Sequence, residues 1–275
     1  MRYVPILLLI SFGTVAQTKH AFTKQDSLKA KIYMDSSWHY RLGSASHQRF
    51  IDSALAIIPT NSWYWQQKSM PLYKSGRYEL GRPFLDSAVK YNPQHWLEYK
   101  AFMECIYEKR YSASLSDFLL ARRTYGNRVV MDHSYDFYIG LCYLQLNVLD
   151  SSEKYIGSCI DNDVKGLGEK WVHPNHLFYM GIIYYEKEQY AQAIVYLKRC
   201  LVGYPNFSDA QYFFSICESQ LGNNKEALRL MEAAKANFDL GFTFNEDNSM
   251  YVDYPYQVRK YYISTTLEYL KKIND

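Results

Sequence analysis

An interval of 34 residues recurs along the chain. It separates Gly181 from Ser215, Ala193 from Ala227 and Cys200 from Ala234, and upstream Ala54 from Ala88 and Pro59 from Pro93. Within one interval, Leu177, Gly181 and Tyr184 are spaced four and three apart, which places them on one face of a helix. After the polar turn Glu186-Lys187-Glu188-Gln189, the residues Ala193, Leu197 and Cys200 repeat that spacing. Two helices joined by so short a link lie antiparallel, and a glycine facing an alanine lets their backbones come close. One such pair cannot bury its apolar surface alone, so the pattern predicts a stack of pairs. Gly140 and Gly181 are 41 apart, seven more than the interval, and the extra residues fit best between Asp163 and Trp171.

These residues resemble the tetratricopeptide repeat family. The fullest copy runs Leu177, Met180-Gly181, Tyr184, Tyr190, Ala193, Leu197, Cys200, Pro205. The next runs Phe214-Ser215, Gly222, Ala227, Met231, Ala234, and an earlier one Ile139-Gly140, Tyr143, Leu149, Ser152, Ile156, Cys159. Trp65, Ser69, Leu72, Tyr78, Gly81, Leu85, Ala88 and Pro93 form another. The copy with Ile106, Tyr111, Ser114, Phe118 and Ala121 has bulky Phe102 or Met103 where a small residue is expected. At the start, Phe50 or Ile51, Ala54 and Pro59 suggest a degenerate copy with no clear first helix. The resemblance implies an all-α, right-handed superhelical array of five to six antiparallel helix pairs over residues 24–241, with an insertion near 163–173. Residues 242–275 depart from the pattern. Asn245 to Ser249 reads as a loop, and Pro255 as a helix start. Val258, Tyr262, Thr265 and Tyr269 then read as one face of a capping helix, which the end of an array requires.

The resemblance also implies a concave groove lined by the first helix of each pair. On those helices stand Phe137, Tyr138, Leu141, then Phe178, Tyr179, Ile182, Tyr185, then Tyr212, Phe213, Ile216. An open aromatic surface of that extent implies a ligand, here an apolar peptide or partner protein. The alternative is that curvature or the C-terminal helix buries these rings. Lys, Asn and Arg, which hold a partner's terminal carboxylate in one branch of the family, are replaced by Phe137, Leu141, Phe178 and Ile182. Further upstream, Trp63, Gln66, Gln67, Met70, Tyr73 and Lys74 present a more polar surface, read as a solvated wall, with a second contact zone as the alternative.

Charge excludes one class of partner. The net charge is +3, from 31 basic and 28 acidic residues, and no basic tract is present, so nucleic acid is not expected. Arg2, the apolar run Val4 to Ile10 and small Thr14-Val15-Ala16 predict an export signal over residues 1–16. That run is too short to span a bilayer, so no integral membrane span is expected and the mature chain would be periplasmic or secreted. The five cysteines lie inside apolar helical patterns and form no CxxC, which suits buried apolar side chains better than a disulfide framework.

Little points to chemistry. His173 and His176 flank Pro174, which starts a helix and leaves His173 outside it, a poor basis for metal ligation without a third ligand. Asp132 and His133 precede a helix that Asp132 or Ser134 would cap. Glu246, Asp247 and Asp253 do not match a calcium loop and read as solvated. No phosphate-binding loop or nucleophile elbow occurs. The expectation is a protein-interaction scaffold with no catalytic residue, metal or cofactor. Its rivals are a structural subunit of an envelope assembly, and an enzyme or metal protein using residues 163–176.

Overall fold

The structure, a computed structural model, describes residues 22–274. The export signal expected over residues 1–16 lies outside them. The chain divides at Pro59 and Thr60 into two compact units.

In the first unit, helices α1 (Lys24–Ser37) and α2 (Ala45–Ile57) form a pair. Thr23 and Asp26 make a reciprocal capping box at the start of α1, and Ser44 caps α2 by accepting the His47 amide. The Tyr40 ring stacks on Phe50 with centroids 5.2 Å apart. Helix α1 is the first helix that the sequence pattern leaves undefined.

The second unit holds five further pairs. They are α3 (Ser62–Lys74) with α4 (Tyr78–Tyr91), α5 (Pro93–Phe102) with α6 (Tyr111–Tyr125), and α7 (Tyr135–Gln145) with α8 (Leu149–Leu167). The last two are α9 (Pro174–Glu186) with α10 (Tyr190–Gly203), and α11 (Ser208–Gln220) with α12 (Asn224–Asp239). Every pair turns in the same way. A residue with positive φ stands two places before the second helix: Gly76, Lys109, Asn147, Glu188 and Gly222. That left-handed residue reverses the chain within a few positions.

Each pair is closest where two small residues meet. They are Ser69 and Gly81, Ala101 and Ser114, Gly140 and Ser152, Gly181 and Ala193, Ser215 and Ala227. Four of the five contain a serine, whose hydroxyl donates to the backbone carbonyl of the facing residue at 2.6–3.0 Å. The hydroxyl is thereby satisfied inside an apolar contact. A Cβ on Gly181 would lie 2.8 Å from Leu197 Cγ, which is why glycine stands there.

The apparent mismatch at Phe102 and Met103 has a local cause. Helix α5 runs directly into a π-helical turn, Met103–Tyr107, which accommodates an extra residue. The small residue is Ala101, one place earlier than the regular spacing indicates.

The insertion is helical: α8 runs for 19 residues against 14 in α10, ends at Gly168 with φ 94°, and is followed by a 3-10 turn, Glu169–Trp171. A two-residue hairpin, β1 (Val129–Val130) with β2 (His133–Ser134), precedes α7 and is the sole strand pairing among the described residues. All five cysteines are free and buried.

The tail differs from expectation in two respects. Pro255 lies in a turn, with Tyr256 at φ 61°, and the last helix, α13 (Lys260–Asn274), begins five residues later. Helix α13 packs on α12 through Ile263 and Leu270, with Leu267 between them, while Tyr262, Thr265 and Tyr269 are exposed. The aliphatic stripe outcompetes the tyrosines because a phenol hydroxyl loses its water on burial.

Candidate functional site

Helices α7, α9 and α11 bring the predicted groove residues onto one face of the second unit. Phe137, Tyr138, Leu141, Phe178, Tyr179 and Ile182 are fully buried, Phe213 nearly so, and Tyr185, Tyr212 and Ile216 half-buried. What covers much of this face is the chain's own segment 243–258, between α12 and α13. The Phe244 ring meets Phe178 and Phe207 edge-on at 5.3 and 5.2 Å and stacks on Tyr254. The Tyr256 ring sits edge-on to Phe213 at 5.9 Å, and its hydroxyl donates to Glu186 at 2.8 Å. Tyr179 donates to the Pro255 carbonyl at 2.9 Å.

One carboxylate closes the base of this loop. Asp209, in the first turn of α11, accepts the Val258 amide at 2.6 Å on one oxygen and the Thr243 hydroxyl at 2.7 Å on the other. Burial raises its pKa to about 6, against the pull of these donors toward the charged form. Both ends of a 16-residue excursion thus meet at one side chain, as in a compact Ω-loop.

The other side of the loop borders a cavity. The cavity, of about 400 Å³, is lined by Met70, Tyr73 and Lys74 of α3, Tyr99 of α5, Met103 and Tyr107 of the π turn, Met131 of the hairpin, and loop residues including Met250 and Tyr251. Tyr107 donates to Asn248 Oδ1 at 2.7 Å, joining wall and loop. Of the wall expected to be solvated, Met70, Tyr73 and Lys74 line this cavity, and Trp63, Gln66 and Gln67 do not.

The loop also brings titratable groups together. His133 on β2, His173 at the N-cap of α9 and His176 in its first turn each offer a ring nitrogen, all within 4.8 Å of one another. His133 Nε2 lies 2.9 Å from Glu246 Oε1, and Asn175 Nδ2 donates to the same oxygen. His176 Nδ1 lies 2.7 Å from Asp163 Oδ2, which also accepts the His173 amide at 3.0 Å. Burial, then electrostatic repulsion from the neighbouring imidazoles, push the His173 pKa down to about 4; burial lowers His176 too. Burial alone would raise Glu246, but the His133 hydrogen bond and the nearby imidazoles bring it below the usual carboxylate value.

Glu246 is buried, contrary to the solvated loop expected of it. Asp247 and Asp253 are exposed. His133 and Glu246 are 113 residues apart, and no spacing in the sequence announces their meeting.

This is a helical-repeat protein, a stack of antiparallel helix pairs. Residues 177–206 match the tetratricopeptide repeat family. Among solved structures, a tetratricopeptide repeat protein from Parabacteroides merdae is 12% identical with a TM-score of 0.62, the match covering 89% of this chain and 99% of that one. PilW, described as a widely conserved type IV pilus biogenesis factor, is 14% identical with a TM-score of 0.60, over 83% of this chain and 99% of that one. PilF of Pseudomonas aeruginosa is 14% identical with a TM-score of 0.56, over 80% and 97%. At these identities the likeness carries the fold, and with the repeat match it supports the tetratricopeptide resemblance. No curated protein sequence matches the chain.

Proposed function

We propose that the protein is an exported interaction scaffold that holds an extended segment of a partner protein on its inner face. Such a fold suits protein binding, and the particular site follows from the loop. Segment 243–258 already lies on that face as a peptide would, inserting Phe244 and Tyr256 between rings and donating or accepting at its backbone. The cavity of Met70, Tyr99, Met103 and Met131 is bordered by Met250 and Tyr251 of the same loop. Thioether side chains adapt to varied apolar partners, so an aromatic or long aliphatic residue of the partner fits there. The single observation carrying this reading is that one loop both covers the aromatic face, through Phe244 and Tyr256, and borders a cavity, through Met250 and Tyr251.

Export rests on Arg2, the run Val4 to Ile10 and the small residues ending at Ala16. Among the described residues no helix is long and apolar enough to cross a membrane. N-terminal sequencing of the mature protein tests export: cleavage after Ala16 supports it, and an intact Met1 in the cytoplasm opposes it.

The binding site is tested by photo-crosslinking in the native cell. A benzophenone amino acid at Met131 or Met250 should capture a defined protein. The same probe at Val202, exposed on α10 away from the cavity, should not. Equal capture from all three positions, or capture from Val202 alone, contradicts the site.

A further inference from the structure

The imidazoles of His133, His173 and His176 converge from a hairpin, a helix cap and a helical turn, and the chain arms two of them as ligands. A neutral imidazole has one N–H and one lone pair. With Nδ1 donating to Asp163 at 2.7 Å, His176 presents its lone pair on Nε2, and that atom is buried without a hydrogen-bond partner. His133, bonded through Nε2 to Glu246 at 2.9 Å, presents its lone pair on Nδ1. A carboxylate on the far nitrogen is how proteins fix the tautomer and direction of a metal-binding histidine. A buried lone pair with nothing to accept is otherwise a cost that a core avoids.

We propose that His133, His173 and His176 bind one first-row divalent cation of the zinc class, with the fourth position open to water and Glu246 orienting His133 from its far nitrogen. Three imidazoles with an open fourth position suit zinc. His173 is the ligand that must change. Its Nδ1 accepts the Asn175 amide at 3.2 Å, so ligation through Nε2 exchanges that long contact for a metal bond. Ligand nitrogens around zinc stand roughly 3.4 Å apart, as bonds of about 2.1 Å in a tetrahedron require. The present limit of 4.8 Å closes by rotation of the rings. His173 is only half-buried and gives the cation a way in.

The consequence reaches the groove. Glu246 belongs to the loop over the inner face, while the histidines belong to β2 and the start of α9. A cation on Nδ1 of His133 polarises its Nε2–H, strengthens the hydrogen bond to Glu246 and so fastens the loop to the repeats. The proposal stands apart from the peptide-binding reading, since a metal clip is equally possible in a protein that binds nothing in its cavity.

The test uses the full mature chain, stripped with chelator and titrated with Zn²⁺ against a chromophoric competitor and with Co²⁺ by absorption. The expected result is one equivalent of Zn²⁺ and the visible bands of a four-coordinate Co²⁺ site. Both should be lost in His176→Ala and His133→Gln and retained in His95→Ala, whose histidine is exposed elsewhere. Asp163→Asn should weaken binding about 10–100-fold. Should the histidine variants fail to fold, the wild-type Co²⁺ spectrum and a Zn²⁺-dependent rise in wild-type Tm decide. Absence of stoichiometric binding by the wild type, or undiminished binding by a folded His176→Ala, overturns the proposal.

Discussion

Asp209 holds Val258 by its backbone amide at 2.6 Å, and through its second oxygen holds Thr243 at the other end of the same loop. Removing this carboxylate leaves the buried Val258 amide and the half-buried Thr243 hydroxyl without an acceptor. Asp209→Ala should lower stability by about 1–3 kcal/mol. Limited proteolysis should then cut within 243–258 before any repeat is attacked. A variant cleaved at the same sites and rate as the wild type would show that the loop is anchored elsewhere.

Close packing of the helix pairs makes the glycines unequal. A Cβ at 181 would meet Leu197 Cγ at 2.8 Å, whereas a Cβ at 157 would meet nothing nearer than Met180 Cε at 3.6 Å. Gly181→Ala should therefore cost about 1–3 kcal/mol by overpacking. Gly157→Ala, inside α8, should be neutral or stabilising by up to about 1 kcal/mol through helix propensity. Denaturant melts of both variants check the contrast in sign.

The turn between α9 and α10 carries Glu188 at φ 58°, where the equivalent turn after α11 uses Gly222 at φ 82°. A side chain in the left-handed region is strained, and glycine is not. Glu188→Gly should raise Tm slightly, by no more than about 1 kcal/mol of stability, and Gly222→Val should lower it. Equal effects in both would mean that the turn is not the shared device of these pairs.

Glu104 carries a pH dependence whose sign is set by burial. Its carboxyl, almost wholly enclosed in the π turn, is raised from 4.5 to about 7 by desolvation, partly offset by Lys100 and Arg110 and reinforced by Asp117 and Glu108. The folded chain thus keeps a proton that the unfolded chain releases near pH 4.5. This contribution to stability is fully present below pH 4.5 and is lost as pH rises through about 7. Its full size is roughly 3 kcal/mol. Glu104→Gln should flatten that part of the stability curve and gain relative to wild type at pH 8. A wild type whose stability rises across this window on account of Glu104 would contradict the assignment.

Legibility in the sequence followed the range of the physics. The pairs repeat because Gly181 and Ala193, or Ser215 and Ala227, must touch, and local spacing records that contact directly. The π turn disguised Ala101, since one extra residue shifts every later position while leaving the packing intact. That Phe137, Phe178 and Phe213 share a face was read from helical spacing, and the loop that covers them was not, because Phe244 reaches Phe178 from 66 residues away without any periodicity. His133 and Glu246 meet for the same reason, through the fold of a loop whose composition resembles any solvated turn. The face of α13 was misjudged because tyrosines were weighted as apolar, while Ile263 and Leu270 had the stronger claim to burial.

Hydrogen exchange across residues 243–258 of the full chain tests most directly whether the inner face is occupied by its own loop. The amides of Ser249, Tyr251, Val252, Tyr254, Gln257 and Val258 all donate hydrogen bonds in this arrangement. The account predicts that they are protected well above unstructured chain, and that Asp209→Ala abolishes the protection while α9 and α10 keep theirs. Exchange of these amides at the free-chain rate in the wild type would mean that the aromatic face is bare and the loop lies elsewhere.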